Sequence, residues 1–184
     1  MYNSSEIQTS IVKENELSFE EINNTANLIN EVYLLTEKDF WPQDGQYQRT
    51  NMDEIRSFIK KQELIIATIA KEIVGAVHIY SLKEGICGFG MLVSSPKKRA
   101  IGIGSALMKS IEIWARTNNY KSIQLELLKP LDYKHPDKEF LTTWYTKLGY
   151  EMIAKTSYHD LYPEQASLLK VPCIFEIFQK NIIK

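Results

Sequence analysis

Apolar residues recur along the chain with two different periods, and the switches between them divide it into elements. From about Ser18 to Leu35, Ile22, Ala26, Ile29, Val32 and Tyr33 follow a helical stripe, and Ser18 with Glu21 has the spacing of a capping box. Before it, Glu6 to Lys13 alternates loosely and predicts a strand. After it, Lys38 to Arg49 is aromatic-rich without a period and predicts a loop. Met52, Ile55, Phe58 and Ile59 then predict a second, short helix. The middle of the chain is strand-like. Leu64 to Ala70 and Ile73 to Leu82 are β-rich runs joined by a turn at Lys71-Glu72, and Ile86 to Ser94 follows a turn at 83–85. Pro96 stops that strand, because proline cannot donate to a central ladder.

Beyond the glycines at 102 and 104, Ile103, Leu107, Ile111 and Trp114 predict a helix to about Asn118. In Ser122 to Leu128, Ile123, Leu125 and Leu127 alternate with Gln124 and Glu126, a strand with two chemically different faces. Asp137 to Leu148 returns to helical spacing, with Phe140, Leu141, Trp144 and Leu148 on one side and Gly149 as the residue that ends it. Tyr150 to Tyr158 and about Leu168 to Gln179 predict two closing strands. The order β-α-α-β-β-β-α-β-α-β-β predicts an α+β fold in three layers, a mixed sheet covered by helices.

Composition narrows the function more than the fold. The 184 residues are 44% hydrophobic and 24% charged, which excludes a disordered or low-complexity chain and is enough for one domain spanning 1–184. Lys plus Arg is 22 against 23 Asp plus Glu, a formal charge of −1, so extensive nucleic-acid binding is not expected. Two cysteines, Cys87 and Cys173, give neither a disulfide framework nor a Cys-x-x-Cys metal pair. No basic or apolar leader opens the sequence and no apolar run reaches membrane-spanning length, so a cytoplasmic protein that binds no membrane is the expectation.

The most informative stretch is Met91 to Ser105. A buried strand ends, the chain turns through Lys97, Lys98 and Arg99, and Gly102 and Gly104 open a helix. Such a turn directs unpaired main-chain N–H groups and the positive helix end at one point, and glycine lets an anion approach the backbone. The same glycines would equally serve a helix that packs closely on its strand. Neither the Gly-x-x-x-x-Gly-Lys-[Ser/Thr] loop nor the dinucleotide fingerprint is present, since Leu107 stands where the latter needs Gly or Ala.

Arg99-Ala100-Ile101-Gly102-Ile103-Gly104 resembles the [Gln/Arg]-x-x-Gly-x-[Gly/Ala] signature of the GNAT N-acetyltransferase superfamily. Forty residues on, Trp144-Tyr145-Thr146-Lys147-Leu148-Gly149-Tyr150 is similar to its second motif. The resemblance covers residues 60 to 157 and is loose over the first helices. It implies a mostly antiparallel sheet of about six or seven strands, with strand 86–94 splayed from strand 122–128 at a β-bulge. Acetyl-coenzyme A would lie in that wedge, with Leu92, Val93 and Ser94 pairing with its arm and Arg99, Ala100, Ile101, Gly102, Ile103, Gly104 and Ser105 gripping its diphosphate. Gly88 and Gly90 would supply the kink. No metal is implied. The acceptor is an amine of a small molecule or peptide, and a homodimer is compatible with the resemblance. A non-catalytic acyl-coenzyme A sensor of the same fold is the alternative.

Acetyl transfer to an amine needs a neutral amine and a proton for the departing thiolate. A lysine-like amine with a pKa of about 10.4 is neutral only about once in a thousand molecules at pH 7. Tyr145, four residues before Gly149, matches the family's tyrosine acid; by pattern alone it would be a core aromatic. Glu126 is a candidate base, with His78 and His135 as others. Where many members carry Asn against the cofactor arm, this chain has Lys138. Tyr33, Trp41 and His78 are candidate acceptor contacts, Asp39 and Asp44 could attract a cationic amine, and Tyr158 to Pro163 could form a rim.

Overall fold

The computed structural model describes residues 6–42, 44–45, 47–98 and 100–183. Along them run the strands β1 (Gln8–Ile11), β2 (Leu64–Ile69), β3 (Glu72–Lys83), β4 (Ile86–Ser94), β5 (Ser122–Pro130), β6 (Glu151–Ser157) and β7 (Cys173–Asn181). The helices are α1 (Phe19–Thr36), α2 (Met52–Lys60), α3 (Ile103–Thr117), α4 (Pro136–Lys147) and the one-turn α5 (Tyr158–Leu161) and α6 (Pro163–Ala166). The strands form one sheet ordered β1-β2-β3-β4-β5-β7-β6, in which only β4 and β5 pair in parallel. This is the mixed, mostly antiparallel architecture expected from the sequence.

Strand alternation generates the three layers. In β2, Ile65, Ala67 and Ile69 join Ile103, Leu107 and Ile111 of α3 in one core, while Leu64 and Ile66 join Ala26 and Ile29 of α1 and Ile55 of α2 in another. Both faces are covered, which is why β2 reads as a nearly continuous apolar run, broken only by Thr68. The capping box forms as expected: the Glu21 N–H donates to Ser18 Oγ at 3.2 Å, and the Ser18 N–H donates to the Glu21 carboxylate at 2.8 Å.

Three local expectations are corrected. The β2–β3 turn is Ala70-Lys71, both at positive φ (49° and 69°), and Glu72 already pairs with Ile69; this is the two-residue turn whose twist suits a hairpin. The last strand starts at Cys173, not near 168. The intervening segment coils into α5, where the His159 N–H donates to Ser157 Oγ, and α6, opened by Pro163. Leu168, Leu169 and Val171 pack on a separate cluster around Phe40 and Trp41, so their apolar surface is covered away from the sheet. On α4, Phe140 is 67% exposed, whereas Lys138 is buried in an ion pair with Glu37. No helix of the described residues is long and apolar enough to cross a membrane.

Candidate active site

β4 and β5 pair over only four positions, from Ile86 with Ser122 to Phe89 with Leu125, and then separate. Beyond that point β4 bonds only to β3 and β5 only to β7 among the described residues. The β3–β4 ladder slips one residue between Ala76↔Val93 and His78↔Gly90, with Met91 at φ 51°. This is a β-bulge, and bulges re-aim a strand. The left-handed residue is Met91 and not Gly88 or Gly90. The parted edges open on a cleft of about 1000 Å3, and Gly90 and Glu126, the first residues past the last pair, both line it.

The N-terminus of α3 opens on the same cleft. Ala100 (φ 61°) and the N-cap Gly102 (φ 94°) turn the chain sharply, and a left-handed N-cap favours glycine. The first bond of the helix ladder is from the Ala106 N–H to the Gly102 carbonyl, at 2.9 Å. The N–H groups of Ile103, Gly104 and Ser105 therefore lie ahead of the ladder. A Cβ on Gly104 would lie 3.4 Å from the Trp144 ring and 3.7 Å from Ser94 Oγ, so nothing larger than a methyl fits without filling the concavity.

Of the residues expected at the cofactor, Leu92, Ser94, Ala100, Gly102, Ile103, Gly104 and Ser105 line the cleft. Val93 turns its side chain into the α1–α2 core and Ile101 packs on the other core. Arg99 lies outside the described residues. The basic loop is less free than its sequence suggests, because Lys98 pairs with Glu72 at 2.8 Å.

Tyr145 is placed by the way α4 ends. Gly149, at φ 88°, follows the C-cap Leu148, and the Tyr150 N–H donates to the Tyr145 carbonyl while the Gly149 N–H donates to Thr146. This is a Schellman motif, with its usual apolar contact between the Tyr150 and Tyr145 rings, centroids 6.0 Å apart. Tyr145 is only 5% exposed yet reaches the cleft. Its hydroxyl has no hydrogen-bond partner among the described residues, and burial pushes its pKa up, so it holds its proton.

Glu126 accepts a hydrogen bond from the Tyr162 hydroxyl at 3.3 Å, and burial raises its carboxyl above the usual range against that bond and the pull of Arg49. His78 also lines the cleft, stacked on Phe58 at 3.7 Å with Nε2 3.4 Å from a Glu63 carboxylate oxygen. Burial lowers its pKa more than Glu63 raises it, so it is held towards neutrality. His135 does not reach the cleft; it is buried edge-on against Phe40 at the start of α4.

The expected acceptor contacts Tyr33 and Trp41 line the other half of the cleft. Trp41 stacks on Tyr47 at 3.8 Å and donates its indole N–H to Glu37, which also binds Lys138. Lys138 thus braces α4 to the end of α1. Asp39 and Asp44 are exposed and do not line the cleft. Of the expected rim, Tyr158 and Tyr162 do and His159 and Asp160 do not. Arg49 and Tyr80 escaped the sequence reading; one ends a loop without periodicity and the other sits on an ordinary strand, so neither carries a local signal. Burial pushes the thiols of Cys87 and Cys173 up to about 12, which keeps them from acting as thiolates at neutral pH. Among the described residues no three His, Cys, Asp or Glu side chains are grouped to hold a metal ion.

Residues 60–152, more than half of the chain, match the family model of the acetyltransferase (GNAT) domain. No curated protein matches the chain. Solved structures do. Ard1 from Thermoplasma volcanium is 15% identical with a TM-score of 0.66, covering 97% of this chain and 99% of its own. An N-acetyltransferase from Staphylococcus aureus Mu50 is 10% identical with a TM-score of 0.69, covering 96% and 99%. A GNAT family acetyltransferase from Elizabethkingia anophelis, solved with acetyl-CoA bound, is 15% identical with a TM-score of 0.59, covering 96% and 98%.

Proposed function

The chain belongs to the GNAT acetyltransferase family, and from that premise we propose that it is an N-acetyltransferase that transfers the acetyl group of acetyl-coenzyme A directly to the amine of a small molecule or peptide. The observation that carries this reading is the parting of β4 and β5 after Phe89 and Leu125, which opens one cleft onto Glu126, Tyr145 and the free N–H groups of α3. All seven strands share one sheet, which supports reading 1–184 as a single catalytic domain.

The cleft fits the co-substrate on its own terms. Ahead of the α3 ladder, the N–H groups of Ile103, Gly104 and Ser105 and the helix dipole suit a diphosphate, and a side chain at Gly104 would fill the place they face. The unpaired edge of β4 from Met91 to Ser94 suits the amides of an extended arm, which would satisfy main-chain groups that are otherwise costly. Bound there, acetyl-coenzyme A supplies the activated acetyl thioester.

The residues around it then divide the proton work. Glu126, held near the apex of the wedge with a raised pKa, takes a proton from the acceptor ammonium, directly or through water. Tyr145 Oη keeps its proton until the sulfur departs and then gives it up. The two buried cysteines, with thiols near 12, do not carry the acetyl group, so the acceptor attacks in a ternary complex where proximity supplies much of the rate.

Thermal unfolding with and without acetyl-coenzyme A tests the cofactor site. Ligand at about 100 times its dissociation constant adds about 2.7 kcal/mol and should raise the Tm by about 5–10 °C. No shift at millimolar concentration overturns the reading. Release of free thiol over a panel of amines and peptides then tests transfer.

A further inference from the structure

The acceptor half of the cleft contains a half-buried cation that forms no salt bridge among the described residues, although the charge of Glu37 reaches it. Arg49 lines the cleft, its guanidinium carbon 5.2 Å from the centroid of the Tyr33 ring, and it hydrogen-bonds the Tyr33 side chain. Among the described residues it makes no ion pair. Of the four carboxylates among the described residues of the cleft, Glu37 is bound to Lys138 and Trp41, Glu54 to the Thr50 hydroxyl at 2.6 Å and Glu126 to Tyr162, while Asp137, in the first turn of α4, forms no ion pair with Arg49. The other two cleft cations among the described residues, Lys98 and Lys138, are paired with Glu72 and Glu37.

Removing a guanidinium from water without a counter-ion is costly, and the cost is recovered when an anion arrives. Arg49 is also central to the chamber. Its charge acts on His78 and Glu126 and on Tyr80, Tyr158 and Tyr162 of the opposite walls. A guanidinium presents a planar fork that matches the two oxygens of a carboxylate. One unpaired positive charge suits one singly charged group, whereas a phosphate monoester would call for a second free cation. A polyamine would bring like charge against it.

Resting on the reading of this chamber as the acceptor site, we infer that the acceptor is an amine that also carries a carboxylate, of the amino-acid kind, with its carboxylate on Arg49 and its amine towards Glu126. The Trp41–Tyr47 stack offers an apolar wall for the rest of the molecule. The two charges, ammonium and carboxylate, then set the acceptor's orientation as well as its affinity.

The test compares each amino acid with its decarboxylated amine, phenylalanine with phenethylamine for example, in the wild-type protein, by thiol release. The carboxylate-bearing member should have a kcat/KM higher by about 100-fold, the range for a charge-assisted bidentate contact. In Arg49→Gln that ratio should fall towards one, mostly through KM, with Arg49→Lys intermediate. A second readout needs no turnover: the amino acid should raise the Tm of the wild-type protein held with coenzyme A, and should do so far less in Arg49→Gln. Equal use of both members, or a ratio unmoved by Arg49→Gln, overturns the inference. So does a protein that binds acetyl-coenzyme A but accepts and binds no carboxylate-bearing amine, an outcome that leaves the cofactor site standing. Failure to bind acetyl-coenzyme A at all removes the underlying functional reading instead.

Discussion

The two halves of the cleft are built from different materials. The half at α3 and β4 is made of main chain: N–H groups ahead of a helix ladder, a glycine at its N-cap, and a strand edge released by a bulge. The half at Tyr33, Trp41 and Arg49 is made of side chains brought from α1, the loop after it, β3 and α5. A main-chain site recognises what its ligands share, on the proposed reading an anion and an extended arm, and tolerates most changes of side chain. A side-chain site recognises what distinguishes one ligand from another. On the proposed function, one cleft can thus keep its co-substrate constant while its acceptor varies.

The sharpest way to break the contrast is to break the seam. Lys138 and Glu37, 4% and 3% exposed, tie the helix that carries Tyr145 to the end of α1. Lys138→Met leaves Glu37 as a buried charge with only the Trp41 N–H, a loss of about 3–5 kcal/mol and a fall in Tm of about 10 °C. Adding Glu37→Gln should recover much of it. If the single variant unfolds at the wild-type temperature, the halves are not coupled through this pair. Next in size is Tyr145→Phe. It removes only the hydroxyl, which has no hydrogen-bond partner among the described residues, so the fold and the acetyl-coenzyme A affinity should hold while turnover drops about 100-fold. Equal turnover would return Tyr145 to a packing role.

Gly104→Val should act on one half alone. The Cβ itself fits, but the branches would occupy the space before the α3 amides, so the acetyl-coenzyme A dissociation constant should rise about 30-fold with little change in Tm of the free protein. Gly104→Ala, at ordinary contact distance from Trp144 and Ser94, should lose far less. If Val binds as well as Gly, the anion is not seated there.

The same division explains what could be read from the sequence. Gly102 and Gly149 were legible because a left-handed backbone at a helix start and a helix end demands glycine there, whereas Gly104 and Tyr145 were picked out by the family motifs, Tyr145 being by pattern alone a core aromatic. The apolar run of 64–69 and the stripe of 103–117 likewise follow from the local pattern of apolar residues. Arg49, Tyr80 and the Glu37–Lys138 pair were not legible. Their roles depend on segments distant in sequence meeting in space, and a loop residue has no period to betray it. Phe140 failed for a related reason. It fits the apolar stripe of α4, but while Leu141, Trp144 and Leu148 pack on the core, Phe140 lies exposed at the cleft, and Lys138 is the buried residue of that turn because it pairs with Glu37.

The smallest effect expected, and the most diagnostic of how the halves meet, is at Glu126. Burial raises its pKa, so the folded state holds the proton more tightly than the unfolded chain does. Its favourable contribution is therefore complete below the unfolded pKa and is lost as the pH rises through the folded one. At neutral pH the ionised carboxylate is a burden on the fold, and Glu126→Gln, which can still accept the Tyr162 hydroxyl, should raise the Tm by about 2 °C. Near pH 4 the difference should vanish. Activity should run the other way. The wild-type rate should fall as acid protonates Glu126, whereas the Gln variant should lose that limb and run about tenfold slower at neutral pH. A carboxylate kept only to anchor Tyr162 would cost stability when replaced and would leave the pH profile alone. A gain in stability paired with a loss of rate is the signature of a group held where the fold does not want it because the reaction does.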